Sequence, residues 1–317
     1  MKLPNDMSTD SKRISIIIVN WNTRDLLLQC LRSIRENAAD VAHEVVVVDN
    51  ASSDGSIEAV RAEFPQARLI ANRENRGFGA ANNQGLAEST GDFILMLNPD
   101  TLVPEGSIRA LLDFAASHED VGIVGPRLVD ADGVEQISSF GLFPSPLEAA
   151  AHALRIWRIA PRSRLARRFV VTPDQHGDWA YAGHLLGACL LVRRDLITRL
   201  GGFDEGFFLF LEETDLCFRA RQQGWRCAYF TGAQFMHLGE QSMQGILHKT
   251  GGLYIRSYNL FCRKHGIGPL RLLAANLFLC LGLVIEATVG LVKFRSPRRA
   301  ADSLRALWYG YVASPIR

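Results

Sequence analysis

Several features that would place this chain in a broad class at once are absent. None of its six cysteines (Cys30, Cys189, Cys217, Cys227, Cys262 and Cys280) forms a CxxC pair or follows a zinc-type spacing. Several sit among apolar neighbours, as small buried thiols do in a reducing compartment, and no disulfide is expected. Charge of one sign is not in excess: 35 Lys and Arg against 33 Asp and Glu leave a net charge of +2, too little to argue for nucleic acid. The opening residues, MKLPNDMSTDSKR, lack the apolar core of a secretory signal, so the main body of the chain is expected in the cytoplasm and residues 1–12 are expected to be a flexible end. Internal repeats and low-complexity segments are missing, as is a GxGxxG fingerprint after the first strand, which excludes a dehydrogenase reading.

What is present is the composition of an ordered protein: 317 residues, 48% hydrophobic and 21% charged, enough for one large core or two smaller ones. ISIIIVN (14–20) and EVVVVDN (44–50) are β-branched apolar runs too short for helices, so both read as strands buried on two faces. Between them Leu26, Leu27, Cys30, Leu31 and Ile34 recur at helical spacing, giving a strand-helix-strand unit and the seed of a parallel sheet. The pattern continues with a helix over 56–64, a strand over 67–72, a helix over 79–89 and the strand DFILMLN (92–98). A helix over 105–117 and the strand VGIVGPRLV (121–129) follow. After a segment of little periodicity to about 180 come the strand LLGACLLVRR (185–194) and a helix from the acidic stretch to about Gln223.

In such α/β halves ligands sit beyond the carboxyl ends of the strands. Those ends read Asn20-Trp21-Asn22, Asp49-Asn50 and Asn98-Pro99-Asp100. Asp49 precedes NASSDGS, a run of turn and cap residues, so it reads either as a helix cap or, with Asp100 on the same edge, as part of an oxygen-rich site for Mg²⁺ or Mn²⁺ and a diphosphate. NPDT is equally a good type I turn. NRENRGFGAANNQG (72–85) opens a helix; it reads as a loop admitting a nucleotide to the backbone or as a tight connection needing positive φ at Gly77 and Gly79. In FLFLEETDLCFRARQQGW (208–225), Glu212, Glu213 and Asp215 read as first-turn acids complementing a helix dipole or as a catalytic carboxylate group.

Six motifs in fixed order, SIIIVNWN, VVVVDNASSDGS, NRGFGAANNQG, LMLNPDT, GGFDEGFFLFLEETDLCFRARQQGW and HLGEQS, resemble the inverting glycosyltransferases of family 2, and within it the bacterial rhamnosyltransferase-like branch. The resemblance spans about residues 13–265. It implies an α/β GT-A fold with a mostly parallel central sheet flanked by helices: a nucleotide-sugar-binding half over 13–104 and an acceptor-binding, catalytic half over 105–265. It further implies a nucleotide-diphosphate sugar donor and a divalent metal, Mg²⁺ or Mn²⁺. Asp49 would recognise the donor's base, and Asn20 and Asn22 would line its pocket with Asn75, Gly77 and Asn98. Asp100 would bind the metal, with His237 as a second ligand. The family's Glu-Asp-x-Asp stands here as Glu212-Glu213-Thr214-Asp215, so Glu213 holds the place of the base, with Glu212 the other candidate. Asn98 and Glu213 depart from the commonest pattern, which keeps open a non-catalytic glycan- or nucleotide-binding subunit. RQQGW lacks the QxxRW of processive members, which implies transfer of one or a few sugars. The branch implies dTDP-rhamnose as donor, with UDP-galactose, UDP-N-acetylglucosamine or GDP-mannose as alternatives, and a polyprenyl-diphosphate-linked or polysaccharide acceptor. A nucleotidyltransferase would need a Gly-rich basic loop where this chain has NWNTRD.

Residues 266–317 carry LLAANLFLCLGLVIEATVGLV (272–292), long enough to span a bilayer and flanked by basic residues. Arg271, Glu286 and Lys293 fall on one narrow stripe of an otherwise apolar helix. It reads as a spanning anchor, an in-plane interfacial helix or a core helix, the first two placing the chain at the cytoplasmic face of the plasma membrane. The basic stretch 147–168 reads as a surface amphipathic element or a solvated helix, and basic residues also cluster over 293–299.

Overall fold

The β-branched runs fold as the strands they suggest. A computed structural model describes residues 12–171, 177–239, 247–292 and 295–311; the expected flexible N-terminus, the last residues of HLGEQS and Lys293 lie outside them. The first half runs β1 (Ile14–Asn20), α1 (Arg24–Asn37), β2 (His43–Asp49), α2 (Ser56–Glu63), β3 (Arg68–Ala71), α3 (Phe78–Ala87) and β4 (Phe93–Leu97). β5 (Thr101–Leu102), α4 (Ser107–Ser117), β6 (Val121–Val129) and β7 (Ser139–Phe140) follow. Three short helices come next, α5 (Pro146–Ala153), α6 (Ile156–Ile159) and α7 (Arg164–Phe169), then β8 (Trp179–Ala182), β9 (His184–Leu185) and β10 (Cys189–Arg193). The chain continues with α8 (Arg194–Arg199), α9 (Glu212–Gln222) and β11 (Arg226–His237), then α10 (Leu247–Lys264), α11 (Pro269–Val292) and α12 (Pro297–Tyr311).

Among the described residues nine strands form one sheet, ordered β3-β2-β1-β4-β10-β6-β11-β5, with β8 paired to β11. β3, β2, β1 and β4 are parallel, and β6 runs parallel to β11, while β10 is antiparallel to both β4 and β6. The carboxyl ends of β1, β2, β4, β6 and β11 therefore share one edge. β1 is buried at every position, as its two-faced apolar run requires. α1 seals one face through Leu27, Cys30, Leu31 and Ile34, and all six cysteines are free thiols, five of them buried.

Three expectations need correction. The strand expected over 185–194 is two, β9 and β10, because Leu186-Gly187-Ala188 leaves the ladder; the amide of Asn98 donates to the Ala188 carbonyl at 2.9 Å. The basic stretch 147–168 is neither one surface element nor one solvated helix. Ala149, Ala151 and Ala153 of α5 are buried, and Ala153 lies against Gly282 of α11, where an added Cβ would stand 3.2 Å from its α-carbon. The exposed arginines belong to α6, α7 and their connection. Gly79 has no positive φ; it lies inside α3, where a Cβ would come within 3.2 Å of Phe203 Cβ, so the glycine serves a close approach.

Candidate active site

The ends of β1 and β2 bring Asn20 beside Asp49 in register. Asn20 is fully buried; its amide donates to Asp49 Oδ2 at 2.8 Å and to Ser52 Oγ at 3.1 Å, and its Oδ1 accepts from Thr23 at 2.6 Å. Its polar atoms are thus committed to protein, and it orients Asp49 from behind. Asp49 Oδ1 accepts from the amide of Ser52 at 2.8 Å. Asn22, exposed and left-handed at φ 54°, accepts from the Ser53 amide at 2.8 Å, while its own amide donates to Ser52 Oγ at 2.9 Å. Two loops are stapled around one carboxylate.

The Gly- and Asn-rich loop is held by amides. Asn50 donates to the Gly77 carbonyl at 3.1 Å and accepts from Asn72 at 2.9 Å, and Asn72 and Gln84 exchange two hydrogen bonds at 2.8 and 2.9 Å. Asn75 accepts from the Gly77 amide at 3.0 Å. Gly77, at φ 85°, backs onto the loop ahead of α9: a Cβ there would stand 2.5 Å from the Phe208 carbonyl oxygen, which the amide of Phe78 contacts at 2.9 Å. This contact fixes the Gly- and Asn-rich loop against the acidic turn. That turn is itself strained, with Phe210 and Leu211 both left-handed at φ 69° and 65°, the kind of conformation that gathers where a side chain must be aimed.

α9 then opens on the acids. Glu212 is buried, one carboxylate oxygen has no hydrogen-bond partner, and burial, reinforced by the charge of Glu213, raises its pKa well above the usual range. Glu213 is half-buried, and loss of solvent pushes its pKa up to about 7. Two such groups do not both ionise at neutral pH: Glu212 keeps the proton and Glu213 titrates. Glu213 lies against Gly187, where a Cβ would be 3.4 Å from Cγ of the glutamate. Gly187 precedes Ala188, the partner of Asn98, so the excursion that breaks the expected strand carries Glu213 toward the end of β4. Asp215, fully buried, is spent on Arg219 at 2.6 Å, Lys264 at 2.8 Å and His265 at 2.8 Å, a pin between α9 and α10.

Past β4, Asp100 is buried, and its Oδ1 has no hydrogen-bond partner. β5 pairs with β11 so that Thr101 faces His237, and this places His237 Nε2 3.4 Å from Asp100 Oδ1. Nδ1 of His237 is 2.8 Å from Gln136 Oε1, and Gln136 Nε2 donates to the His237 carbonyl at 2.9 Å. A buried carboxylate oxygen without a donor, facing an imidazole nitrogen, is a donor set that fits a hard divalent cation completed by phosphate oxygens. Among the described residues no group of three or more His, Cys, Asp or Glu gathers as a metal cluster, so this pair is what the chain itself would bring. Sequence reading placed Asn50 on the ligand edge without its role, and it did not single out Asn72, Gln84, Gln136, Gly187, Lys264 or His265, whose contacts join distant segments.

The comparisons with known proteins accord with this geometry. The family model for glycosyl transferase family 2 matches residues 15–181, and the chain belongs to that family. The N-acetylglucosaminyl-diphospho-decaprenol L-rhamnosyltransferase of Mycobacterium tuberculosis is 34% identical over 206 residues, covering 61% of this chain and 66% of its own length. Rhamnosyltransferase WbbL of Escherichia coli is 22% identical over 259 residues, 79% of this chain and 93% of its own. In fold, the chain is similar to the mannosyltransferase PcManGT of Pyrobaculum calidifontis in complex with GDP-Man and Mn²⁺, with TM-score 0.58, 20% identity and coverage of 98% and 91%. This neighbour is a GT-A structure, as the resemblance implied.

Proposed function

We propose that this chain is an inverting, metal-dependent glycosyltransferase that moves a single L-rhamnose from dTDP-rhamnose to a polyprenyl-diphosphate-linked sugar at the cytoplasmic face of the membrane. The observation that carries this reading is the placement of a half-exposed, neutral-pH carboxylate, Glu213, beside the strand edge that bears Asp100 and His237. Glu213 takes the proton of the acceptor hydroxyl as that oxygen attacks, and Glu212, protonated, leaves it the only charge of the pair. Asp100 and His237 would hold the cation, which when bound would supply positive charge to offset that of the departing diphosphate. Asp49, oriented by Asn20, meets the donor's base, with Asn22, Asn75, Gly77 and Asn98 around the nucleotide. The donor sugar and acceptor class are taken from what the mycobacterial relative's name says it transfers and to what.

The test is release of nucleoside diphosphate from dTDP-rhamnose, UDP-galactose, UDP-N-acetylglucosamine and GDP-mannose, with Mn²⁺ or Mg²⁺ and with EDTA, on a polyprenyl-diphosphate-N-acetylglucosamine acceptor. Metal-dependent turnover with dTDP-rhamnose is expected. Turnover with another donor instead would replace the sugar, and an undiminished rate in EDTA would remove the metal.

α11 supports the membrane part of the reading. It is 24 residues, roughly 36 Å, and apolar enough to cross a bilayer by length and composition. Its contacts run along its length: Asn276 pairs with Asn259 of α10 at 3.1 and 2.7 Å, Gly282 meets Ala153, and Glu286 reaches Arg155 at 3.6 Å. Leu270, Leu273, Leu277, Leu281, Val284 and Leu291 form the opposite, exposed face at helical spacing, with Leu304 and Trp308 of α12 also exposed. A helix packed on its domain at both ends lies in the interface plane, with the α6–α7 arginines nearby suited to anionic lipid. The full chain should sediment with anionic vesicles and be released at alkaline pH, and Leu273→Glu with Leu277→Glu should weaken binding at least tenfold. Resistance to alkaline release would make α11 a spanning helix.

A further inference from the structure

We propose that Gln136 is a positioning residue that keeps the ring proton of His237 on Nδ1, so that Nε2 presents its lone pair beside Asp100. The inference rests on the reading of Asp100 and His237 as cation ligands, but the tautomer itself does not.

The argument is one of donors and acceptors. The carbonyl of His237 can only accept, so the group 2.9 Å from it must be the nitrogen end of the Gln136 amide. That orientation leaves Oε1 2.8 Å from Nδ1, and an amide oxygen can only accept as well. Nδ1 therefore carries a proton, and in the singly protonated ring it is Nε2, 3.4 Å from Asp100 Oδ1, that is left without one. Backbone and ring of one residue grip both ends of one amide, so the amide cannot flip without losing two hydrogen bonds.

Without Gln136 the ring has a better choice. With its proton on Nε2, a small rotation of the ring across the 3.4 Å gap would let it donate to Asp100 Oδ1, a buried acceptor that has no hydrogen-bond partner. That bond would satisfy the carboxylate and close the pair against a cation. Gln136 prevents this by making Nδ1–H the better donor, at the cost of leaving two acceptors facing each other.

The backbone that carries Gln136 is fixed in place. The amide of Gln136 donates to the Leu128 carbonyl at 2.8 Å, and the preceding turn is tied by Asp130 Oδ1, which accepts from the amides of Asp132 at 3.0 Å and Val134 at 2.9 Å. Val129 bridges to Glu135 and pairs with Met236 of β11. The turn after β6 thus returns Gln136 to the end of the neighbouring strand, where His237 stands.

The experiment is long-range ¹H–¹⁵N NMR of the histidine rings at pH 8 in metal-free full-length protein, with the His237 signals assigned by their loss in His237→Phe. Mn²⁺ affinity is measured in parallel by EPR in the presence of dTDP. The wild type should show the Nδ1–H tautomer and Gln136→Leu the Nε2–H tautomer, with Mn²⁺ affinity lowered roughly 10- to 100-fold. Gln136→Glu, which still accepts from Nδ1–H, should keep the wild-type tautomer and recover most of the affinity; it also serves if the leucine variant does not fold. A wild-type ring protonated at Nε2, or a Gln136→Leu protein with unchanged tautomer, overturns the proposal. If instead the tautomer switches as expected while Asp100→Asn and His237→Phe leave Mn²⁺ affinity intact, the positioning role stands and the cation reading is what fails.

Discussion

Replacing Glu213 with Gln is expected to lower turnover by roughly 10²- to 10⁴-fold, the contribution of a positioned general base, while donor and Mn²⁺ affinities stay within a few-fold of wild type. Only the ionised carboxylate can take the acceptor's proton. Since burial places its pKa at about 7, wild-type turnover should rise about tenfold per pH unit below 7 and level off above it. The Gln variant should lose that rise. Stability moves the opposite way. Between the ordinary carboxylate range and about 7, folded Glu213 holds a proton that the unfolded chain has released, so its contribution is present at low pH and is lost as pH rises through 7. Glu213→Gln should therefore have a flatter dependence of Tm on pH between 5 and 8. Glu212→Gln makes the contrast: a residue already protonated is mimicked by the amide, and turnover should stay near wild type. Equal, large losses in the two variants would move the base to the pair as a whole. Full turnover in Glu213→Gln would take the base role away from Glu213, whereas a wild type that binds nucleotide but turns over no donor would leave the non-catalytic subunit as the better reading.

That Glu213 and not Glu212 turns to solvent was beyond the sequence. Both open one helix, and what separates them is Gly187, which backs Glu213, and the tight approach of Gly79 to Phe203 near Glu212, contacts made across 26 and more than 120 residues of chain. The core strands were legible because a run such as ISIIIVN fits only a pleated surface buried on both faces, and α1 because its apolar residues recur at helical spacing. The strand over 185–194 was misread for the same reason. LLGACLLV is apolar throughout, and periodicity cannot show that three of its residues leave the ladder to back Asn98.

The polar edge was legible as a set of positions and not as a set of orientations. Asn20, Asp49, Asn98 and Asp100 stand at strand ends where the α/β rule puts ligands, and the sequence located them all. It could not tell that Asn20 points into the protein and orients Asp49. Nor did Gln136 carry a local signal, because its two partners belong to a residue 101 positions later. α5 gives the same lesson for packing: its alanines look like those of any exposed helix until α11 covers them.

Asp100→Asn should abolish Mn²⁺ binding and lower turnover by at least 10²-fold, and the metal-free protein should become no less stable and gain about 1–2 °C in Tm. The loss follows from charge, since Asp100 is the only anionic member of the pair. The gain follows from hydrogen bonding. With the ring proton held on Nδ1 as proposed, two acceptors, Oδ1 and Nε2, stand 3.4 Å apart with no proton between them. An asparagine that turns its NH₂ to Nε2 supplies the missing donor, and satisfying a buried polar atom stabilises by about 1 kcal/mol, on the order of 1–2 °C for a chain of 317 residues. Mn²⁺ with dTDP should raise the wild-type Tm by mass action and leave the variant's unchanged. Loss of function by simple unfolding would show the reverse, a fall in metal-free Tm. A protein that becomes more stable as it loses its cation would mark the Asp100 and His237 pair as a place where stability is given up for binding.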